Sequence, residues 1–242
     1  MHMHLPLCYT YSSMSKMKHI GVVMFGGTGQ RFGSDEPKQF LPCGDHPLMA
    51  ETLCNIASMS CLDEIYVVTH PDYIDETNAI IDEFVPSKIF GVIPGGDSRH
   101  ESVENALGYF EEKGEDLDAI IAIFDGDRPG IDESIVSENM MYAEAEGAAV
   151  TAIKATDSVF LSYDHSTVHE YLNRDEVYLA QTPQTFRLDI ILEAYRNCEN
   201  PTTDDASLVA ALGYKVSIVE GSLANNKITY PEDLARYLSS RR

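Results

Sequence analysis

A glycine-rich segment with two cationic side chains follows an apolar run near the start of the sequence. It reads Phe25-Gly26-Gly27-Thr28-Gly29-Gln30-Arg31-Phe32-Gly33, and Pro37-Lys38-Gln39-Phe40-Leu41 comes shortly after it. Glycines allow backbone N–H groups to approach phosphate oxygens closely. Arg31 and Lys38 add positive charge to the same segment. This combination predicts a loop that binds a triphosphate.

Two common phosphate-binding loops do not fit this segment. It is not a P-loop, because no Gly-Lys-Ser/Thr sequence follows the glycines. A dinucleotide-binding fold would place an acidic residue at the end of the second strand, where this sequence has Val68-Thr69-His70. A glycine turn without a binding function remains the alternative, and the pairing of Arg31 with Lys38 favours the triphosphate.

The charge balance limits the partners of the chain. With 39 acidic and 17 basic residues, the 242-residue chain has a formal net charge of −22. Such a chain repels nucleic acid and anionic membranes at long range. A small polyanionic substrate would therefore need a local basic pocket. No apolar run approaches the roughly 20 residues of a membrane span, and the odd number of cysteines suggests reduced thiols, so we expect a cytoplasmic protein.

Apolar runs alternate with amphipathic helical patterns along the chain, which predicts an α/β fold. This Rossmann-like fold would have a mostly parallel sheet sandwiched by helices. The predicted strands are 20–25, 64–69, 88–93, 119–124, 148–154 and 215–220. The predicted helices are 47–59, 73–84, 102–113, 132–146, 188–195, 204–212 and 231–238. Ligands of such folds lie at the carboxyl ends of the strands, and each motif discussed here follows a predicted strand.

Residues 157–177 have a different character and predict a protruding β-arm. Two short strands, 159–162 and 167–171, would flank the turn-like segment 163–166. An isolated hairpin is marginally stable in water, so we expect the arm to pack on a second subunit and form a homodimer. Residues 1–17 are interpreted as an N-terminal extension, and residues 18–242 as a single nucleotidyltransferase domain that includes the arm.

Six sequence blocks in this order resemble the cytidylyltransferases of 2-C-methyl-D-erythritol 4-phosphate and ribitol 5-phosphate. The first is the glycine-rich segment together with Pro37-Lys38-Gln39-Phe40-Leu41. The others are Gly95-Gly96-Asp97-Ser98-Arg99-His100-Glu101-Ser102-Val103, Asp125-x-x-Arg128-Pro129, Gln181-Thr182-Pro183-Gln184-x-Phe186, Thr203-Asp204-Asp205-Ala206-Ser207 and Asn226-Lys227-Ile228-Thr229-x-Pro231. The resemblance extends from Ile20 to the C-terminus.

The resemblance implies an in-line attack by a substrate phosphate on the α-phosphorus of CTP. Arg31, Lys38 and Lys227 would be the catalytic residues, with Lys38 and Lys227 stabilising charge on the α-phosphate. Nucleotide binding would involve Phe25, Gly26, Gly27, Thr28, Gly29, Gly96, Asp97, Arg99 and Ser102. Gly96, Asp97 and Ser102 would contact the cytosine. Alternatively, Asp97 or Ser98 caps a helix, and Arg99 forms an internal ion pair. The reaction requires Lys227 to lie near the Arg31/Lys38 turn.

The resemblance also assigns residues to the acceptor. Asp125, Arg128, Ser158, Arg174 and Thr182 would bind it, with Ser158 and Arg174 reaching the site of a neighbouring subunit. The alternative for Arg174 is a solvated arm residue without a binding role. Mg²⁺ or another divalent cation would be held mainly by CTP, and Asp125 would contact it, through water if not directly.

Two positions in the Asp125 block depart from the family pattern. Phe124 stands where a histidine is usual, and Asp127 is an added carboxylate. Asp127 would either contact the metal or a hydroxyl group, or pair with Arg128.

The function expected from these residues is transfer of CMP from CTP to a small polyol phosphate. 2-C-methyl-D-erythritol 4-phosphate, an intermediate of isoprenoid precursor synthesis, is placed first as acceptor. Ribitol 5-phosphate, which would yield CDP-ribitol for a cell-wall polymer, is the close alternative. Two other classes stay open: a nucleotidyltransferase that makes nucleotide-sugars, and a catalytically inactive nucleotide-binding protein.

Overall fold

The computed structural model describes residues 16–26, 37–85, 88–199, 202 and 204–240. Its strands are β1 (His19–Phe25), β2 (Pro42–Cys43), β3 (His46–Pro47), β4 (Glu64–Thr69), β5 (Ile89–Pro94), β6 (Ile120–Asp125), β7 (Ala148–Lys154), β8 (Val159–Leu161), β9 (Glu170–Leu172), β10 (Tyr178–Arg187) and β11 (Ser217–Glu220). Its α-helices are α1 (Leu48–Ser58), α2 (Ile74–Phe84), α3 (Arg99–Lys113), α4 (Glu133–Glu146), α5 (Leu188–Arg196), α6 (Asp205–Ala211) and α7 (Pro231–Ser240).

A seven-stranded sheet organises the described residues, in the order β11-β7-β10-β6-β1-β4-β5. The pairs β1/β4, β1/β6, β4/β5 and β7/β11 are parallel. β10 alone runs antiparallel, and it pairs with β6 on one side and β7 on the other. The expected mostly parallel α/β sheet is therefore confirmed.

Both faces of the sheet are covered by helices, which explains the continuous apolar run of β1. Successive strand side chains point to opposite faces. Ile20 and Val22 join a core cluster with Phe110 of α3 and Ile191 of α5. Val23 joins the opposite cluster, which includes side chains of α1, α2 and α4. A strand buried on both faces must be apolar at nearly every position.

β10, the central antiparallel strand, is absent from the strands predicted from sequence patterns. Its polar segment Gln181-Thr182-Pro183-Gln184-Thr185 hides the apolar alternation that would have indicated a strand. The side chains of Gln181, Thr182 and Gln184 are buried. Each forms a hydrogen bond with another segment of the chain. The Gln184 side-chain carbonyl, for example, accepts a hydrogen bond from the backbone N–H of Ala206 at 3.0 Å. Buried polar groups of this kind are stable only when they are paired.

The arm is present as a two-stranded antiparallel unit, β8 with β9. Its strands are shorter than expected, and Phe160 and Tyr171 are exposed although their rings contact each other at 5.9 Å between centroids. Helix α3 begins at Arg99, three residues before the expected start, because Ser98 caps it. Among the described residues, no helix combines the length and apolar character needed to cross a bilayer.

Candidate active site

A cleft of about 320 Å³ opens at the carboxyl edge of the sheet. It lies where β1, β5 and β6 end, which is the position expected for a ligand of a parallel α/β sheet. Its walls come from segments that are far apart in the sequence. They are Met24, Phe25, Gly26, Lys38, Gln39, Leu48, Asp97, Ser98, Arg99, Ser102, Asp125, Gly126, Asp127 and Lys227.

Lys38 and Lys227 converge on this cleft from opposite ends of the chain. Lys38 lies in a short 3-10 helix, and its ammonium group donates to Asp127 and to the carbonyl of Ile228. The Lys227 ammonium lies 2.9 Å from Asp125 Oδ2 and 3.7 Å from Asp127 Oδ1. The shared cavity that the proposed chemistry requires is therefore present for these two lysines.

Asp125 ends β6 and is surrounded by three cationic side chains. Besides Lys227, Arg128 Nε lies 3.2 Å from Asp125 Oδ2, and Arg99 Nε lies 3.8 Å from Oδ1. Burial by itself would raise the pKa of Asp125, but Lys227, Arg99 and Arg128 outweigh it and lower the pKa to about 2. The carboxylate is therefore ionised at neutral pH.

Thr182 and Arg128 support Asp125 from behind. The Thr182 hydroxyl oxygen accepts a hydrogen bond from the backbone N–H of Asp125 at 3.0 Å. Arg128 Nη1 donates to the carbonyl of Asn225 at 2.8 Å, which fixes the guanidinium against the loop that carries Lys227. Neither residue is among those that line the cleft. The structure thus brings both residues to Asp125 and leaves them outside the cleft wall.

Asp127 pairs with Lys38, so the expectation that it pairs with Arg128 is wrong. Arg128 turns instead towards Asp125, its neighbour three residues earlier. The physical reason is the turn after β6, which points Asp127 into the cleft where both lysines are. The metal or hydroxyl contact, the other expectation for Asp127, is not tested by this geometry.

Arg99 is held by a buried ion pair, as the alternative interpretation expected. Its two terminal nitrogens lie 2.9 and 2.7 Å from the carboxylate oxygens of Asp205. The Tyr195 hydroxyl donates to the same carboxylate at 2.6 Å. Burial would lower the pKa of Arg99, but the Asp205 carboxylate outweighs it and raises the pKa. Arg99 contributes a fixed positive charge to one wall of the cleft.

The turn between β5 and α3 is fixed by one hydroxyl group. Ser102 Oγ accepts a hydrogen bond from the Gly96 N–H at 3.0 Å and donates to the Ser98 carbonyl at 2.7 Å. A Cβ on Gly95 would lie 2.9 Å from that oxygen and 3.2 Å from the Thr69 carbonyl, so a glycine is required there. Ser98 is the N-cap and accepts from the Glu101 N–H, which confirms the expected helix cap.

Several candidate residues lie elsewhere. Ser158 and Arg174 are exposed on the arm, and neither lines the cleft; Arg174 Nη1 donates to the Thr156 carbonyl at 3.3 Å. Phe124, which replaces the usual histidine, is buried in the core under the sheet. Gly27, Thr28, Gly29 and Arg31 lie outside the described residues.

Several residues that shape the cleft were not among the site residues predicted from the sequence. Gln39 donates from its side chain to the Phe25 carbonyl at 3.4 Å, and Leu48 forms part of the wall. A Cβ on Gly126 would lie 2.3 Å from the Phe25 ring, so this glycine lets the ring pack against the turn. Asp205 was considered only as a member of one family-like block, and the residue that caps α6 is its neighbour Asp204.

The fold and the cleft define a class of α/β protein with a cleft lined by cationic side chains at the carboxyl edge of its sheet. The family profile described as "IspD: 2-C-methyl-D-erythritol 4-phosphate cytidylyltransferase" matches residues 20–238. The chain therefore belongs to the IspD family, whose members are CTP-dependent nucleotidyltransferases.

Related sequences carry two names. A 2-C-methyl-D-erythritol 4-phosphate cytidylyltransferase of Thermosipho africanus is 38% identical over 218 residues, covering 89% of this chain and 94% of the relative. A ribitol-5-phosphate cytidylyltransferase of Streptococcus agalactiae is 32% identical over 222 residues, covering 90% and 92%.

Solved structures agree in fold. A 4-diphosphocytidyl-2C-methyl-D-erythritol synthase of Anaerococcus prevotii superimposes with a TM-score of 0.78 at 27% identity, covering 93% of this chain and 97% of that one. The enzyme named 2-C-methyl-D-erythritol 4-phosphate cytidylyltransferase of Francisella tularensis gives 0.76 at 26% identity, covering 91% and 99%.

Proposed function

We propose that this chain transfers CMP from CTP to 2-C-methyl-D-erythritol 4-phosphate and releases pyrophosphate. The observation that carries the proposal is the convergence of Lys38 and Lys227 on one cleft beside the ionised Asp125. Residues 18–242 would act as one nucleotidyltransferase domain, with 1–17 as an N-terminal extension and the arm at 157–177. The reaction would supply isoprenoid precursor synthesis in the cytoplasm.

The chemistry needs two polyanions to meet. An oxygen of the acceptor phosphate attacks the α-phosphorus of CTP, and the bond to the β-phosphate oxygen breaks. Negative charge must be stabilised on the α-phosphate during this displacement, which the Lys38 and Lys227 ammonium groups are placed to do. Arg31 and the glycines 26, 27 and 29, with Phe25 and Thr28, would cradle the triphosphate.

The opposite wall would select the base. Gly96, Asp97 and Ser102 follow β5, and Asp97 and Ser102 line the cleft. A carbonyl or carboxylate acceptor in this wall can bond the exocyclic amine of cytosine, which uracil lacks. Arg99, anchored by Asp205, would place a positive charge next to the nucleotide without moving.

The acceptor would bind on the Asp125 side. Asp125 is the carboxylate that would accept hydrogen bonds from the polyol hydroxyls, with Arg128 and Thr182 holding it in position. Ser158 and Arg174 are exposed on the arm and do not line the cleft of their own chain, so they would serve the cleft of a second subunit. The exposed Phe160 and Tyr171 of the arm support a homodimer, because apolar patches of this kind usually mark interfaces.

The residues present fit a divalent cation such as Mg²⁺. Asp125 and Asp127 supply carboxylate oxygens beside the expected triphosphate, and buried Asp127 Oδ1 has no hydrogen-bond partner among the described residues. When bound, the cation would neutralise phosphate charge. No group of three or more His, Cys, Asp or Glu side chains with metal-binding geometry occurs among the described residues, so phosphates would complete its shell.

An acceptor screen at fixed CTP and Mg²⁺ tests the proposal. Pyrophosphate release would be measured with 2-C-methyl-D-erythritol 4-phosphate, ribitol 5-phosphate and a sugar 1-phosphate in parallel. We expect the first acceptor to give the highest kcat/KM. A preference for ribitol 5-phosphate would favour the second candidate, which the relatives named for that acceptor support. CTP binding without turnover on any acceptor would indicate a catalytically inactive protein.

A further inference from the structure

Asp127 places a carboxylate where a triphosphate would bind. The residue is 9% exposed, lines the cleft, and binds the Lys38 ammonium through Oδ2. Its other oxygen lies 3.7 Å from the Lys227 ammonium and has no hydrogen-bond partner among the described residues. One side chain is therefore in ionic contact with both lysines that the proposed reaction uses.

A backbone hydrogen bond holds the main chain of Asp127 at the cleft. The carbonyl of Asp127 accepts a hydrogen bond from the Ile228 N–H at 2.8 Å, and the Ile228 carbonyl accepts from the Lys38 ammonium at 3.2 Å. Asp127, Lys38 and the segment after Lys227 are thus held together as one unit. Because the main chain is held here, a polyanion that binds the two ammonium groups would meet the Asp127 carboxylate beside them.

Repulsion between this carboxylate and the phosphates can be offset in one simple way. Like charges placed next to each other in a partly buried site are costly, because little water is present to screen them. A divalent cation with oxygen ligands could bind Asp127 and the phosphates together. Asp125 lies against the same Lys227 ammonium and is ionised, so a second carboxylate is available next to the first.

We propose that Asp127 makes nucleotide binding depend on a divalent cation. In the free protein Asp127 neutralises Lys38, and on binding the triphosphate replaces it at the ammonium while the cation joins Asp127 to the phosphates. This inference rests on the proposed function, since the ligand is CTP. It assigns a role to Asp127, a carboxylate that the family pattern lacks.

Calorimetric titration of CTP into the full chain, without acceptor, tests the coupling. Wild type, Asp127→Asn and Asp127→Ala would each be titrated in EDTA and in saturating Mg²⁺. We expect both variants to bind CTP at least about tenfold more tightly than wild type in EDTA, since no carboxylate competes for Lys38. Mg²⁺ should then improve the affinity of wild type much more than that of either variant.

Asp116→Asn is the matched control. It removes one negative charge from an exposed position before the start of β6, at the edge of the sheet opposite the cleft. We expect it to leave the ratio of the two CTP dissociation constants unchanged. If it shifted the ratio as much as Asp127→Asn does, net charge alone would explain the effect and the proposal would be wrong.

Direct cation binding gives a readout that is independent of turnover. Mn²⁺ added to the protein with CTP would be followed by its electron paramagnetic resonance signal. We expect wild type to bind Mn²⁺ at least about tenfold more tightly than Asp127→Asn, because a carboxylate ligand is lost. Thermal melts would show whether the variants are folded. Two substitutions, the isosteric Asn and the smaller Ala, are used so that the test can still be made if one of them does not fold.

The outcomes separate this inference from the proposed function. If wild type binds CTP in Mg²⁺ but the coupling is the same in wild type and both variants, Asp127 has no such role. If wild type binds no CTP in either condition, the proposed function itself fails.

Discussion

At the scale of single residues, two lysines and two carboxylates define the cleft. Lys38 binds Asp127, and Lys227 binds Asp125, so each cation is compensated before any ligand arrives. Compensation keeps the cost of burying these charges low. It also holds the ammonium groups where a phosphate would enter, which is the preorganisation that electrostatic catalysis requires.

Loss of the Lys227 charge should mainly affect the chemical step. We expect Lys227→Met to lower kcat for pyrophosphate release by about 10²-fold or more, since one contact to the charge that develops on the α-phosphate is removed. Steady-state kinetics with CTP and the best acceptor would measure it. Lys215→Met removes an exposed lysine that pairs with Glu146 on the surface and should change kcat little. Equal effects of the two variants would contradict a catalytic role for Lys227.

Acid should weaken the protein through Asp125. Its pKa is lowered from 3.8 to about 2 on folding, so its ion pairs stabilise the fold fully above pH 3.8 and lose that contribution as the pH falls towards 2. We expect the unfolding free energy of wild type to be higher than that of Asp125→Asn, and the difference between them to be constant near neutral pH. That difference should shrink by about 2 kcal/mol between pH 5 and pH 2. Urea titrations across this range would measure it, and a difference independent of pH would exclude the assignment.

At the scale of elements, one buried ion pair joins α3 to α6. Arg99 opens α3, and Asp205, which opens α6, is 1% exposed. Tyr195 of α5 donates to the same carboxylate, so three helices meet at this point. The pair therefore positions the start of α3 and, with it, the wall of the cleft that Asp97 and Ser102 form.

Breaking this buried pair should cost far more than breaking a similar exposed one. We expect Asp205→Asn to lower the unfolding free energy by about 3 kcal/mol, because the Arg99 charge would stay buried without its partner. Arg187 and Asp189 form a comparable pair on the surface, and Asp189→Asn should cost at most about 1 kcal/mol. Chemical denaturation of both variants would measure the contrast. Similar losses of unfolding free energy would show that the buried Arg99 pair stabilises the fold no more than the surface pair does.

At the scale of the whole molecule, the proposed homodimer depends on the arm. Ser158 and Arg174 are exposed and do not line the cleft of their own chain. A two-stranded unit with exposed aromatic side chains is poorly stabilised alone. Both observations favour a dimer in which each arm serves the other subunit's cleft.

Mixing two inactive variants tests this arrangement. Arg174→Ala and Lys227→Met would each be nearly inactive alone if Arg174 binds the acceptor in the partner's cleft. Co-refolded in equal amounts, half of the dimers should be mixed, with one intact cleft each. About a quarter of the wild-type activity should then return. Sedimentation would establish the dimer. No recovery in a confirmed mixed dimer would place Arg174 in its own subunit's site, and normal activity of Arg174→Ala alone would place it outside any site.

The local sequence determined the elements that depend on neighbouring residues. The run Ile20-Gly21-Val22-Val23-Met24-Phe25 indicated a buried strand, and Ser98 was one of two candidates for a helix cap, because periodicity and capping act within a few residues. The clustering of Lys38 and Lys227 in family-like blocks indicated that they belong to one site, although no local rule joins them.

The tertiary structure decided what depends on distant pairings. β10 lies between β6 and β7 and pairs with both, which no local pattern could show. Its buried Gln181, Thr182 and Gln184 side chains find hydrogen-bond partners in other segments of the chain. Asp127 binds Lys38 and not the adjacent Arg128, and Arg99 binds Asp205, because the fold brings these charges together across the chain. The sequence by itself shows which cationic residues are present. Which carboxylate each of them pairs with depends on distances that exist only once the sheet has assembled.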